Sequence, residues 1–400
     1  MAASKKSGGP LTGVRVVDIT TMILGPVATM LLGDMGAEVI RIEPPGGDPF
    51  RYVGRTRSHG MSAAFLGVNR NKASVVLDLK QPAALEAMLK LIETADVFVH
   101  NMRMNAAEKL GVGYAAIAAR KPDIIYAAGV GFGAEGPYAA KPAYDDIIQG
   151  LSGVAGLGAS AEGSPRYFPT VLADKVGGYV LASAVAMALY KRAVSGEGDM
   201  IEMPMFETMV QFNLLDHLGG GLFAPESRDY GYTRMFSPYH RPIRTSDGYI
   251  CIVANTDRQW ERMFRLIGRP ELIEDRRFVG IRARIENIVD LYQIVHEAMT
   301  GRTTEAWLRL LDAEGIPCGR VNRVEDLVND PHLAASGFFK EMAHPTEGML
   351  RVPSIPVRFR SHAGSVRSLG PSLGEHTAEV LRSLGYDDDE IGRLRPDGQP

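Results

Sequence analysis

The segment FPTVLADKVGGYVLASAVAMALYKR, Phe168 to Arg192, holds a single carboxylate, Asp174, followed three and four residues later by Gly177 and Gly178. No histidine lies within forty residues on either side. Two chemistries suit a carboxylate so placed. In the first turn of a helix it complements the macrodipole, an effect of about 0.3–1 kcal/mol. In an accessible position it is a nucleophile that needs no neighbouring base, because a carboxyl group is ordinarily ionised at neutral pH. The glycines weigh toward the second. Each costs about 1 kcal/mol relative to Ala inside a helix, so bare backbone beside Asp174 signals the close approach of a ligand or of another backbone.

Motifs for other common chemistries do not occur. The nine histidines show no spacing suited to a metal, and neither cysteine lies beside one, so no metal site is expected. There is no G-x-S-x-G elbow and no G-x-x-x-x-G-K-[ST] phosphate loop. Gly131, Gly133 and Gly136 form a G-x-G-x-x-G, but Pro137 and Pro142 follow where a dinucleotide fold needs a helix. A nicotinamide site is therefore rejected, and the loop is read as backbone that comes close to some other ligand. Arg70 and Lys72 in VNRNK, and Asn101 and Arg103 in HNMRMN, stand beside expected strands, where each cation suits a phosphate or a solvated turn.

The elements that must position these residues alternate regularly. Short β-rich runs at 14–20, 38–43, 74–79, 96–101 and 123–130 are separated by helices at 26–36 and 82–95. That pattern predicts a parallel sheet covered on both faces, with ligands at the carboxyl ends of its strands. The expected organisation is a large α/β domain over 11–200, a linker over 201–245 and a smaller α/β domain over 246–330. A second linker follows over 331–356, and residues 357–400 return to complete the large domain, starting with a strand at 357–360. The small domain opens with a strand at 248–254 and a Thr-Asp-capped helix at 256–268, with a further helix over 282–299.

Bulk properties narrow the class. A net charge of −3 gives no basic face for nucleic acid. Two cysteines in 400 residues do not make a disulfide framework, which predicts a reducing, cytoplasmic setting. MAASKKSGGP lacks the apolar core of a secretory signal, and VLASAVAMALY is too short to cross a bilayer, so no membrane association is expected.

Taken together, the ordered motifs resemble the class III CoA-transferases, the family that includes the formyl-CoA and carnitine CoA-transferases and the α-methylacyl-CoA racemases. They run over nearly the whole chain: LTGVRVVD at 11–18, GPVATMLLGDMGAEVIRIEPPGGD at 25–48, NRNK at 69–72 and ADVFVHN at 95–101. GFGAEGP at 131–137, YDDIIQGLSG at 144–153, DKVGGY at 174–179, SDGYI at 246–250, GIPCGRV at 315–321 and GEHTAEVLRSLGY at 374–386 continue the series. The resemblance implies a large Rossmann-like domain and a small domain in an interlocked homodimer, with acyl-CoA as substrate and no prosthetic group. It implies that Asp174 is acylated and then carries CoA as an aspartyl thioester. It puts Tyr144 and Asp145 at the acyl group, with Gly177 and Gly178 giving access. It puts CoA near Arg70, Lys72, Asn101, Met102 and Arg103. Succinyl-CoA is a natural donor, and Arg234, Arg241 and Arg244 are candidates to meet a second carboxylate on the acceptor. The racemases carry a His-Asp pair where this chain has Tyr144-Asp145, which favours transfer over racemisation. A catalytically silent CoA-binding protein is the reading from a different class.

Overall fold

Val16, Val17, Val39, Ile40, Val75, Val97, Phe98 and Val99 are all buried, as apolar runs must be when helices cover both faces of a sheet. They belong to strands β1 (Arg15–Asp18), β2 (Glu38–Glu43), β3 (Lys72–Val76) and β4 (Val97–His100). With β5 (Ile125–Val130) and β6 (Asp199–Pro204) these form one six-stranded parallel sheet in the order β3-β2-β1-β4-β5-β6. This is the doubly wound Rossmann order, whose direction reverses between β1 and β4 and opens a crevice there. The computed structural model describes residues 8–223 and 229–394. The first seven residues of MAASKKSGGP, five in the expected first linker and the last six of the C-terminal part lie outside the described residues.

The chain forms two compact units: 1–152, 168–212 and 332–400 make the large one, and 153–167 and 213–331 the small one. The expected linkers are corrected by what they contain. Residues 201–204 are the last four of the six residues of β6, and 205–217 are a helix. Residues 339–353 form an antiparallel hairpin, Phe339–His344 against Gly348–Pro353. The strand expected at 357–360 is absent, because those residues pair with no neighbour in a sheet. The C-terminal part instead covers the open edge of β3. The Val76 amide donates to the Thr377 hydroxyl at 3.0 Å and the His376 amide to the Ser74 carbonyl at 2.9 Å. The small unit has its own three-stranded antiparallel sheet of Ile243–Arg244, Tyr249–Ile252 and Cys318–Arg320, and its core includes Trp260, Phe264, Phe278, Leu291 and Trp307. Its expected Thr-capped helix is present: Thr256 and Gln259 close a capping box.

Two helices of the large unit decide the site. Helix α1 is Leu24–Asp34 and helix α2 is Leu172–Ser195. The 24 residues of α2 are long enough to cross a bilayer, longer than the apolar run suggested. One face of α2, with Ala173, Gly177, Gly178, Leu181 and Val185, is buried in the large unit, as in a core helix. A Cβ on Gly178 would lie 2.8 Å from the Leu24 carbonyl oxygen and 2.8 Å from Val27 Cβ. One on Gly177 would lie 2.9 Å from Leu24 Cδ1. The glycines therefore let α1 and α2 touch. What approaches them is another helix, the second of the two neighbours expected for bare backbone there.

A buried ionic network ties strands β1, β2 and β3 to the segments around them. Lys72 has no exposed side-chain surface and sits 3.3 Å from Asp18, with the Pro26 carbonyl at 2.9 Å and Asn69 Oδ1 at 3.0 Å. Arg70 holds Asp34 with two N–H groups, at 2.9 and 2.6 Å. The expectation that Arg70 and Lys72 bind CoA phosphates is corrected, because both cations are buried against carboxylates of their own unit. Arg41 pairs with Asp48 and Arg51 grips Glu43 at 2.7 Å through each of two N–H groups, all with side chains almost wholly buried.

Two outcomes test this packing. Gly178→Ala overpacks the α1–α2 contact and lowers stability by about 1–3 kcal/mol in urea unfolding. Lys72→Met leaves Asp18 short of a partner and costs about 3–5 kcal/mol, less where Arg41 compensates. A Lys72→Met protein of unchanged stability but raised KM for acyl-CoA would restore the phosphate role.

Candidate active site

Asp174 is the third residue of α2, so its own amide is one of the donors left without a partner inside the helix. That amide donates to Asp145 Oδ1 at 3.0 Å. Asp145 begins a short helix, Asp145–Leu151, and is 7% exposed. Its other oxygen accepts from Gln149 Nε2 at 2.6 Å, one helical turn on. Gln149 is fully buried and also ties down the approach to α2, accepting from the Phe168 amide at 2.8 Å and donating to the Thr170 carbonyl at 3.1 Å. Asp145 thus caps α2 from a different segment, and its carboxylate lies next to Asp174.

The Asp174 side chain is half-buried, close to the Leu24 amide at the start of α1. Burial and then the Asp145 charge push its carboxyl up to about 7, while the Leu24 amide pulls the other way. Ordinary ionisation, assumed from the sequence, therefore does not hold in the free protein: near pH 7 the group is divided between its two forms. Such a carboxylate is weakly solvated and unusually basic, which suits attack on a carbonyl carbon. The amino end of α1 faces it and favours negative charge there.

Leu24 is held in turn. Met22 is one of two described non-glycine residues with positive φ, at 64°. Its amide donates to Asp48 Oδ2 at 3.0 Å, and Asp48 is the partner of Arg41. The ionic network thus fixes the bend that leads into α1.

The remaining expected residues divide. Tyr144 is 70% exposed, and no described histidine is hydrogen-bonded or ion-paired to Asp145 or Asp174. At the reversal point of the sheet, Asn101 accepts from the Thr21 amide at 2.9 Å and donates to the Thr21 carbonyl at 2.8 Å. It clamps the loops after β1 and β4 together, so both ends of its amide are engaged. The Met102 amide donates to Nδ1 of His100 at 3.2 Å, which puts the imidazole proton on Nε2; burial lowers that imidazole to about 4 and keeps it neutral. Arg103 is exposed, with one N–H on the Ala140 carbonyl at 3.2 Å. Arg103 is the expected cation that remains open at this crevice. The glycine loop is closed off: the Gly133 and Ala134 amides donate to Glu207 and Glu202 at 3.0 and 2.8 Å.

Sequence reasoning missed Leu24, Met22, Asp48 and Gln149. Gln149 was detectable, being four residues beyond Asp145 on one helical face. A backbone amide such as that of Leu24 leaves no compositional trace. Arg234 and Arg241 line a cavity within the small unit, whereas Arg244 is exposed on its strand and does not.

Known proteins agree with this architecture. A sequence model of CoA-transferase family III matches residues 11–377. The succinyl-CoA:glutarate CoA-transferase of Homo sapiens is 31% identical over 96% of this chain and 88% of its own length. The succinyl-CoA–L-malate CoA-transferase alpha subunit of Chloroflexus aurantiacus is 32% identical over 96% of this chain and 91% of its own. The crystal structure of a CAIB/BAIF family protein from Brucella suis superposes with a TM-score of 0.81, at 30% identity, over 94% of this chain and all of that one. With the parallel sheet, the family model and full-length relatives in accord, the chain belongs to CoA-transferase family III and is an enzyme of that kind.

Proposed function

We propose that this enzyme moves CoA from an acyl-CoA donor to a free carboxylic or dicarboxylic acid through covalent chemistry at Asp174. The observation that carries this is the half-buried Asp174 carboxyl, raised to about 7 between Asp145 and the amino end of α1. Succinyl-CoA is the proposed donor, because the human and Chloroflexus relatives are both named for it.

The steps balance without a proton or a cofactor. An Asp174 oxygen attacks the thioester carbonyl, the C–S bond breaks, and a mixed anhydride and CoA thiolate result. The thiolate attacks the aspartyl carbonyl and expels the donor acid, leaving an aspartyl-CoA thioester. The acceptor carboxylate attacks that thioester and releases the thiolate again. Attack of the thiolate on the acceptor's carbonyl then frees Asp174 and forms the new acyl-CoA. Each thiolate and each carboxylate is re-used, so the cycle needs no general acid. Arg103 is proposed to meet a CoA phosphate at the crevice between β1 and β4, beside Asn101 and Met102. Tyr144 is proposed to close over the acyl group. The same reading has two copies acting together. Exposed Tyr179, Met187, Tyr190 and Val194 along α2, 57–74% exposed, support such a pairing.

Three outcomes are expected. Asp174→Asn abolishes formation of new CoA esters from succinyl-CoA and a carboxylate panel, and removes the hydroxylamine-sensitive adduct that wild type forms on the peptide around residue 174. Transfer that persists in this variant would sink the reading, and α-proton exchange into a 2-methylacyl-CoA in deuterated water without transfer would replace it with racemisation. The second outcome is a pH profile: kcat/KM for the acyl-CoA rises with pH and bends near 7, since only the carboxylate attacks. The third is thermodynamic. The folded-state value of about 7 exceeds the ordinary 3.8, so the native chain holds this proton more tightly than the unfolded one, and stability is lost as pH rises between them. The Tm of Asp174→Asn minus that of wild type therefore grows from pH 4 to pH 8; a difference that stays flat with pH contradicts the assignment.

A further inference from the structure

The small unit contains a cavity of about 280 Å³ to which none of the residues around Asp174 contributes. Its lining divides by chemistry. Ile243, Trp260, Met263 and Val295 are buried and apolar. Arg241 is exposed and Arg234 half-buried. One end is thus hydrocarbon and the other cationic. Among the described residues no aspartate or glutamate lines the cavity or is paired with either guanidinium.

Arg234 is ordered before any ligand arrives. Arg234 Nε donates to the Tyr292 hydroxyl at 2.7 Å, which fixes the guanidinium plane and leaves its terminal N–H groups available. His296 Nε2 lies 2.9 Å from the Tyr239 carbonyl, and the His240 ring stacks on Tyr292. Burial first, and then the Arg234 charge, hold His240 below the ordinary imidazole value; burial holds His296 below it too, against the Tyr239 carbonyl, with the Arg241 charge a smaller cause. Both rings are neutral at pH 7, and the charge facing the cavity is that of the two arginines.

We propose that this cavity binds a free monocarboxylic acid, with the carboxylate on the forked N–H groups of Arg234 and Arg241 and the hydrocarbon part against Trp260, Met263, Ile243 and Val295. Other ligand classes fit less well. An inorganic anion would leave the apolar walls unfilled. An amine is repelled by two guanidinium groups, and a zwitterionic amino acid finds no carboxylate for its ammonium. Size adds a limit: a cavity of about 150 Å³ holds benzene, so this one suits an acid the size of 3-phenylpropanoate or hexanoate. The site is independent of the chemistry at Asp174 and stands whether or not that residue is acylated.

Trp260 lines the cavity, and Trp307 is the only other tryptophan, so tryptophan emission reports occupancy, with calorimetry as a second readout. Titration of the whole protein with 3-phenylpropanoate is expected to give a saturable change, and the corresponding amide to bind roughly tenfold more weakly or worse, since it lacks the charge-assisted bond. Arg241→Gln, at an exposed position, is expected to weaken the acid by a similar roughly tenfold, and Arg234→Gln to do the same. Asp174→Asn is expected to leave the affinity within about twofold. Absence of saturable binding, equal affinity for acid and amide, or indifference to both arginine variants overturns the proposal. Loss of binding in Asp174→Asn overturns it too, because the acid would then be held at the aspartate.

Discussion

The contact between α1 and α2 is the constraint on which the site depends. At Gly177 and Gly178 a side chain would collide with Leu24 and Val27. Their absence lets the amino end of α1 come within hydrogen-bonding reach of Asp174, four residues earlier on α2 than Gly178. Two glycines in a helix interior cost about 2 kcal/mol against alanine. The helix tolerates that cost because tertiary packing, rather than propensity, supplies most of its stability.

A chain of polar contacts follows from this approach. Gln149 orients Asp145, Asp145 caps α2 through the Asp174 amide, and the Leu24 amide lies close to the Asp174 carboxyl. On the other side Arg41 holds Asp48, and Asp48 holds the strained Met22 that leads into Leu24. One carboxylate is thereby left close to another in a half-buried place, and its basicity rises. The arrangement works against folding at high pH and in favour of attack on a carbonyl, a conflict common where a site needs a group that the fold would rather have neutral. The ionic network is structural. It neutralises carboxylates that are buried in the large unit.

Much of this was legible without coordinates. β-rich runs alternating with helices forecast a parallel sheet, and the five strands read from the first third of the chain are five of the six in it. The sixth, β6, and the helix after it are also legible as a strand and then a helix in MIEMPMFETMVQFNLLDHLGGG, although the expected domain boundary at 200 cut through the strand. The hairpin at 339–353 escaped because its residues are mostly exposed, so it lacks the apolar alternation that marks a half-buried strand. Asp174 stood out by being solitary among apolar neighbours, and Asp145 by its place in YDD.

Residue order alone settled which groups were present: a lone carboxylate, two glycines after it, no triad, no metal spacing, and a strand–helix rhythm that puts polar loops at one edge of a sheet. Tertiary structure settled what those groups face. Arg70 and Lys72 look like phosphate ligands when only their neighbours in sequence are considered and are internal counter-ions in space, because their partners Asp34 and Asp18 are 36 and 54 residues away in sequence. The same reason explains the glycines and the raised carboxyl. Periodicity is a local property that a sequence displays directly, whereas Coulomb interaction, desolvation and steric contact depend on distances that exist only once the chain has folded.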